Sequence, residues 1–434
     1  MRPLPGAEAF AAELAGEPRA WGRLANEHPP VLRGQELEFH PSWDALLALG
    51  LRERLHLPGD HVTRAAKFVA LSQVEQGVGC PLSMTHAAHA IVDVPEGWLV
   101  GMSMTERQGG SDVRANETVA RPCGDGEAAI HGEKWFCSAP MSDAFLILAQ
   151  APAGLSCYLV ERGDGFVIER LKDKLGNRSN ASAEIRLDGA HGRLVGEEGR
   201  GVAAIIEMVV HTRLDCVLGS AALQREAVAQ ALHWCAGRVA FGKLLADQPL
   251  MQNVLADLVV EAEASTRSAL RLARAFEADE PFRRIGTAVL KYWVCKRTPA
   301  VVGEALECLG GNGFVEGSSD LPRLYRESPL NAIWEGSSNV QCLDVLRALR
   351  REPGTAEAFL AELDAADRPR VERALAEADE RDARRLVETM AVALQASLLD
   401  GELADAFRAR EPFAAFGTLP AEAPVAEIVR AAAG

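Results

Sequence analysis

The stretch Gly101-Met102-Ser103-Met104-Thr105-Glu106-Arg107-Gln108-Gly109-Gly110-Ser111-Asp112-Val113 decides how this chain is read. A short apolar run leads into two hydroxyls, a pair of adjacent glycines and a carboxylate. Such a loop offers backbone N–H groups and small O–H donors, with room for a ring or a phosphate close to the main chain. On its own it reads equally as a glycine-rich turn. What surrounds it settles the matter.

The loop sits where the texture of the sequence changes. Residues 1–98 read as helical with Pro and Gly breaks, including apolar helical spacing at Ala65, Ala66, Phe68, Val69 and Val74. His86 and His89 stand at i, i+3 spacing, but without further ligands nearby they read as ordinary core or surface histidines. From 99 to 200 come short β-rich pieces, such as Ala144-Phe145-Leu146-Ile147-Leu148-Ala149 and Ser156-Cys157-Tyr158-Leu159-Val160, bounded by Gly, Asp and Pro. They predict a compact antiparallel β domain. Between 201 and 350, apolar residues recur every three or four positions through about 202–236, 247–278, 284–309 and 338–350, which predicts a four-helix bundle. An extension, 351–434, carries 17 acidic against 10 basic residues and no lysine. It reads as a solvated helical appendage or an oligomer contact. The fold class expected is α+β.

The 434 residues carry a formal charge of −15, which argues against general affinity for nucleic acid, because neutralising phosphates needs excess Lys and Arg. Nine scattered cysteines without a C-x-x-C pair fit a reducing compartment rather than a disulfide framework. Neither a signal-peptide core nor an uncharged run of roughly 18 residues is present. A cytoplasmic protein with no membrane partner is expected.

Three further segments carry chemistry. Gly132-Glu133-Lys134-Trp135-Phe136-Cys137-Ser138 sets paired aromatics before a hydroxyl, which suits a flat heteroaromatic ring or, equally, a β core. Leu309-Gly310-Gly311-Asn312-Gly313-Phe314 follows a predicted helix, as a C-cap or as an approach to a pyrophosphate. Ile333-Trp334-Glu335-Gly336-Ser337-Ser338-Asn339 places a carboxylate on a Gly/Ser loop between apolar residues, where partial desolvation suits a general base.

Taken in order, these segments resemble the acyl-CoA dehydrogenase family. Its flavin signature is matched by Met104-Thr105-Glu106-Arg107-Gln108-Gly109-Gly110-Ser111-Asp112. The likeness continues through Lys174-Leu175-Gly176-Asn177-Arg178, Gly196-Glu197-Glu198-Gly199-Arg200-Gly201, Thr212-Arg213 and Arg238-Val239-Ala240-Phe241-Gly242, and ends on Trp334-Glu335-Gly336. Lys172 to Ser182 and Leu321-Pro322-Arg323-Leu324-Tyr325-Arg326-Glu327 look like its AidB-type branch, flavoproteins of the alkylation-damage response.

The resemblance implies an N-terminal helical domain (1–98), a flavin-binding middle β-barrel domain (99–200), a C-terminal four-helix bundle (201–350) and an acidic helical extension (351–434). It implies a non-covalent FAD held by Met102, Met104, Thr105, Gly110 and Ser111, with Phe136 over the ring and Cys137 and Ser138 beside it. Arg238, Phe241, Gln248, Gly310 and Gly311 match positions that reach the FAD of a neighbouring subunit, so a homodimer or homotetramer is implied. Ile333, Ser337 and Asn339 complete the pocket. Glu335 takes the place of the base that removes the α-proton of an acyl-CoA while the β-hydrogen leaves as hydride. Ser111, Arg213 and Gly336 are implied to touch the substrate; no metal is called for.

An electron-transfer flavoprotein is the implied acceptor, although an oxidase reading stays open, and so does the acyl group. The alternative is an AidB-like flavoprotein with DNA association and weak or vestigial dehydrogenase activity. Three departures stand out. Glu307 replaces a glutamine near the phosphates, no acidic residue accompanies Thr212-Arg213, and the tail is acidic where that branch uses a basic face on DNA.

Overall fold

The computed structural model describes residues 3–410 and 423–433. Its helices are α1 (Glu8–Leu14), α2 (Pro18–Glu27), α3 (Pro41–Arg52), α4 (His61–Val74) and α5 (Gly79–Ala88), then α6 (Gly201–Gly237), α7 (Pro249–Ala278) and α8 (Glu280–Cys308). There follow α9 (Gly311–Phe314), α10 (Leu321–Glu327), α11 (Ser338–Arg351), α12 (Thr355–Ala361), α13 (Arg368–Ala376), α14 (Ala383–Leu398), α15 (Gly401–Ala409) and α16 (Val425–Ala433). The four long periodic segments fall on α6, α7, α8 and α11. Among the described residues no helix is long and apolar enough to cross a membrane. The chain divides into two compact units, Phe10–Gly59 with Val74–Asp215, and Met1–Ala9 with Asp60–Gln73 and Cys216–Gly434.

In the first of these, the N-terminal stretch departs from the all-helical expectation. Strands β1 (Val31–Arg33) and β2 (Glu36–Glu38) form an antiparallel hairpin. Three residue pairs are too few for a period of two to show in the sequence. Helix α3 starts as its sequence dictates: Pro41 opens the first turn and the His40 ring accepts the Ser42 N–H at 3.2 Å.

The β domain comprises β3 (Val100–Ser103), β4 (Val119–Gly124), β5 (Glu127–Ser138), β6 (Ala144–Ala151), β7 (Gly154–Glu161), β8 (Phe166–Leu171) and β9 (Ser182–Val195). Their order is β3-β6-β4-β5-β9-β7, and β7 pairs back onto β6, so five strands close into a barrel with β3 and β8 alongside. Most pairings are antiparallel as expected; β3–β6 and the single β4–β6 bridge are parallel. Ile130, Phe145, Ile147, Val160, Ile168 and Ile185 fill the interior, with the Phe145 and Phe166 rings stacked 5.0 Å apart. Each such buried side chain contributes on the order of 2 kcal/mol.

In the other unit, α6 from Cys216 onward packs with α7 and α8 around a core dominated by Leu, Val and Ala, and α11 packs on α8. The tail is no solvated appendage. Phe407, Leu399, Ile428 and Val429 enter that same core, and Trp293 on α8 donates its indole N–H to Gln395 on α14 at 2.8 Å. Arg410 closes the join, bonded to Asp257 at 3.0 Å and to Glu261, which also pairs with Arg297 at 3.1 Å. The Glu261 carboxyl is wholly buried. Desolvation alone would raise its pKa, but the two guanidinium groups hold it down to about 2.

Candidate functional site

The candidate residues fall into groups that each lie within one unit. In the barrel unit, β3 brings Met102 and Ser103 to the edge of the sheet, and the signature loop leaves from there. Glu106, 5% exposed, turns inward and anchors it. Its carboxylate accepts the Lys134 ammonium at 2.6 Å, the Thr118 hydroxyl at 2.6 Å and the amides of Glu117 and Thr118 at 2.6 and 3.2 Å. Burial by itself would raise its pKa, but the Lys134 charge and these donors hold it below the ordinary carboxylate range. Lys134 is 1% exposed and also donates to the Leu148 carbonyl at 2.8 Å.

The rest of the loop is sewn to β5. The Trp135 amide bonds the Thr105 carbonyl at 2.8 Å, the Ser103 hydroxyl bonds the Phe136 carbonyl at 2.9 Å, and Asn116 bonds the Met104 carbonyl at 2.9 Å. Gly109 lies at φ +117, and a Cβ on Gly110 would sit 2.5 Å from Thr105 Oγ1, so neither position welcomes a side chain. A bulge between Lys134 and Cys137 shifts the register of β5 against β9. Phe136 is left 47% exposed and Ser138 half-buried beside it.

The Cys137 side chain is fully buried in the barrel core, where desolvation raises its thiol pKa, so the thiol turns inward while the neighbouring Phe136 ring faces out. Arg213, half-buried on α6, belongs to the same unit as the loop.

In the bundle unit, Glu335 lies on the turn before α11, half-buried, at φ +58, followed by Gly336 at φ +92. A glutamate in the left-handed region is uncommon and costs energy that its surroundings must offset. Trp334 donates its indole N–H to Asn331 at 2.8 Å, and Asn331 in turn bonds the Ser220 hydroxyl at 3.1 Å. Ile333 is 63% exposed; Ser337 is half-buried, and exposed Asn339 accepts from Arg384 on α14 at 2.8 Å. That tail contact had no signal in the sequence.

The remaining residues cluster where α6 and α8 end side by side, with the Cys235 sulfur 4.0 Å from the Cys308 carbonyl. After α6 comes a hairpin of β10 (Val239–Ala240) and β11 (Lys243–Leu244), its two-residue turn made by Phe241 at φ +52 and Gly242 at φ +80. Both central residues at positive φ mark the mirror-image hairpin turn, in which a bulky aromatic is strained. Phe241 is nevertheless 99% exposed at the tip, next to exposed Arg238. Gln248 ties the hairpin down through the Ala240 carbonyl at 3.0 Å. Gly310 and Gly311, past the end of α8, are open: a Cβ on either would meet nothing within 4 Å. Glu307 is exposed on the last turn of α8.

The chain is similar to known proteins across these segments. Residues 199–350 match the model for the acyl-CoA dehydrogenase C-terminal domain, 101–190 the middle domain, and 7–102 the N-terminal domain of the adaptive response protein AidB. AidB of Escherichia coli (strain K12), named as an acyl-CoA dehydrogenase, is 42% identical over 397 residues, covering 78% of this chain and 73% of that one. The chain belongs to the acyl-CoA dehydrogenase family. Solved structures agree with this acyl-CoA dehydrogenase assignment. Caenorhabditis elegans ACDH-11, in complex with C11-CoA, superimposes with a TM-score of 0.85 at 26% identity, covering 99% of this chain and 86% of that one. The apo form of Bd2924 gives 0.84 at 27% identity, covering 93% and 95%. Sequence reasoning assigned no role to Lys134, Lys291 or Gln341.

Proposed function

We propose that this acyl-CoA dehydrogenase binds FAD through its signature loop and dehydrogenates an acyl-CoA thioester between its α and β carbons, with Glu335 as the base. Family membership makes it an FAD-dependent oxidoreductase of the acyl-CoA dehydrogenase type. The donor set fits such a cofactor. Gly109 and Gly110 leave the loop backbone bare, Thr105 and Ser111 supply hydroxyls, Phe136 offers an exposed aromatic face, and Gly310–Gly311 offer an open backbone. FAD, when bound, supplies the hydride acceptor.

The observation that carries the base assignment is the strained backbone of Glu335 on a pinned, half-buried turn. A carboxylate held in place removes a weakly acidic α-proton far better than one free to wander. Ser138 would bond the edge of the ring. Ser111, Arg213 and Gly336 would hold the thioester. In this reading the strained, fully exposed Phe241 and its neighbour Arg238 reach a second copy of the chain, an electron-transfer flavoprotein takes the electrons, and the location is cytoplasmic. Glu335→Gln tests the base. It should retain FAD at wild-type stoichiometry yet fail to bleach anaerobically with any acyl-CoA that bleaches the wild type.

One observation favours a second reading, association with DNA. Arg384 reaches Asn339 at the start of α11, and the charge of Arg350 near its end acts on Asp379, so segment 379–385 runs beside that helix. Exposed Arg347, Arg350, Arg381 and Arg384 thereby lie close together, although Asp344 and Asp379 pair with two of them. Retention of duplex DNA that weakens steeply with salt would support this reading; no retention at low salt would end it.

A further inference from the structure

Lys291 stands in the middle of α8, within Ile285-Gly286-Thr287-Ala288-Val289-Leu290-Lys291-Tyr292-Trp293-Val294-Cys295, where it is the sole charge. The residue is 1% exposed and has no carboxylate partner among the described residues. A buried ammonium is retained only where its donors are used. Here they go to main-chain carbonyls, those of Trp334 at 2.7 Å and of Gly336. The two carbonyls bracket Glu335. From α11, Gln341, 0% exposed, donates to the carbonyls of Glu335 at 3.1 Å and Gly336 at 3.0 Å. Three consecutive carbonyls are thus bound by two buried side chains, at a turn where a glutamate and a glycine both lie at positive φ.

Backbone strain of this kind persists only when its surroundings over-determine it. Without the ammonium, the Trp334 carbonyl would lose this donor, those of Glu335 and Gly336 would share the single amide of Gln341, and the turn would relax toward ordinary dihedrals. The Glu335 side chain would swing with it, and a displacement of about 1 Å is enough to lose a large part of a proton-transfer rate. We propose that Lys291, seconded by Gln341, is a positioning residue that holds the Glu335 backbone in its left-handed turn and so aims the carboxylate. The proposal rests on the reading of Glu335 as the base.

Lys291→Met keeps the length and the apolar stem and removes the donors. The FAD-loaded variant is assayed anaerobically with whichever of butyryl-, octanoyl- and isovaleryl-CoA reduces the wild-type flavin fastest. Backbone amide exchange is followed in loaded and FAD-free protein. The expected result is a kcat lowered about tenfold or more with KM changed less than about threefold. Exchange should be faster across residues 331–341 and unchanged across 101–113. Gln341→Leu removes the neutral donor, should give the same split at smaller size, and decides the question if Lys291→Met does not fold. A folded variant with kcat within about twofold of wild type and unchanged exchange at 331–341 overturns the proposal. Glu335→Gln is measured alongside. If that variant is active, the base reading falls and the proposal with it; if it is inactive beside a fully active Lys291→Met, only the positioning role falls.

Discussion

Lys134→Met should destabilise the barrel unit by about 3 kcal/mol, at the lower end of the roughly 3–5 kcal/mol for breaking a buried ion pair from one side. The wild-type ammonium is 1% exposed and donates hydrogen bonds to Glu106 at 2.6 Å and to the Leu148 carbonyl at 2.8 Å. Methionine fills the space but leaves the Glu106 carboxylate buried without a counter-charge. Two amides and the Thr118 hydroxyl still serve that carboxylate, which is why the lower end applies. The second change, Glu106→Gln in the Lys134→Met background, removes the orphaned charge and should restore most of the loss. Urea unfolding of the FAD-free protein measures the effect, with amide exchange along β5 reporting on the barrel. The single variant should also bind FAD more weakly, because Glu106 organises the loop that carries Thr105 and Ser111. A loss below about 1 kcal/mol in Lys134→Met, or a double variant no more stable than the single one, would show that Lys134 does not compensate a buried Glu106 charge.

Gly110→Ala should weaken FAD binding tenfold or more, on the order of 1.4 kcal/mol, because the new Cβ would lie 2.5 Å from Thr105 Oγ1; titration of the apoprotein with FAD checks it. The Glu261–Arg410–Arg297 cluster should make the bundle acid-labile. The folded pKa of Glu261 is depressed to about 2 from a usual 4.5, so its contribution is whole above about pH 4.5 and lost as pH falls toward 2. Urea midpoints that fall across that window in wild type, and fall less in Glu261→Gln, would bear this out. Phe241→Asp should leave the fold intact, since the ring is 99% exposed, yet shift the sedimentation coefficient toward a monomer and reduce retained FAD. Unchanged sedimentation would remove the intersubunit role.

The sequence carried the fold through periodicity. The apolar repeats of α6, α7, α8 and α11, and the β-rich pieces around 144–168, appear where they were expected. The hairpin at Val31–Glu38 was hidden because its strands are three residues long. The facing of Phe136 and Cys137 was not legible because the bulge in β5 breaks simple alternation, turning Phe136 outward and the Cys137 thiol into the core. In the tail, acidic composition masked the stripe of Leu386, Val387, Met390, Ala391 and Leu394 that α14 buries. The ion pair of Glu106 with Lys134 was out of reach, since 28 residues separate two groups that only barrel closure brings together. Lys291 did leave a trace, as one charge in an otherwise uncharged helical run.

FAD and an acyl-CoA should meet on this chain. Anaerobic titration of the purified yellow protein with a panel of acyl-CoAs, followed by the visible flavin band and by analysis of the acyl product, tests it most directly. The band should bleach with at least one member of the panel, with one equivalent of the α,β-unsaturated thioester formed per flavin reduced. A protein that holds FAD but is bleached by none of them, while dithionite still reduces it, would not be a dehydrogenase of these thioesters.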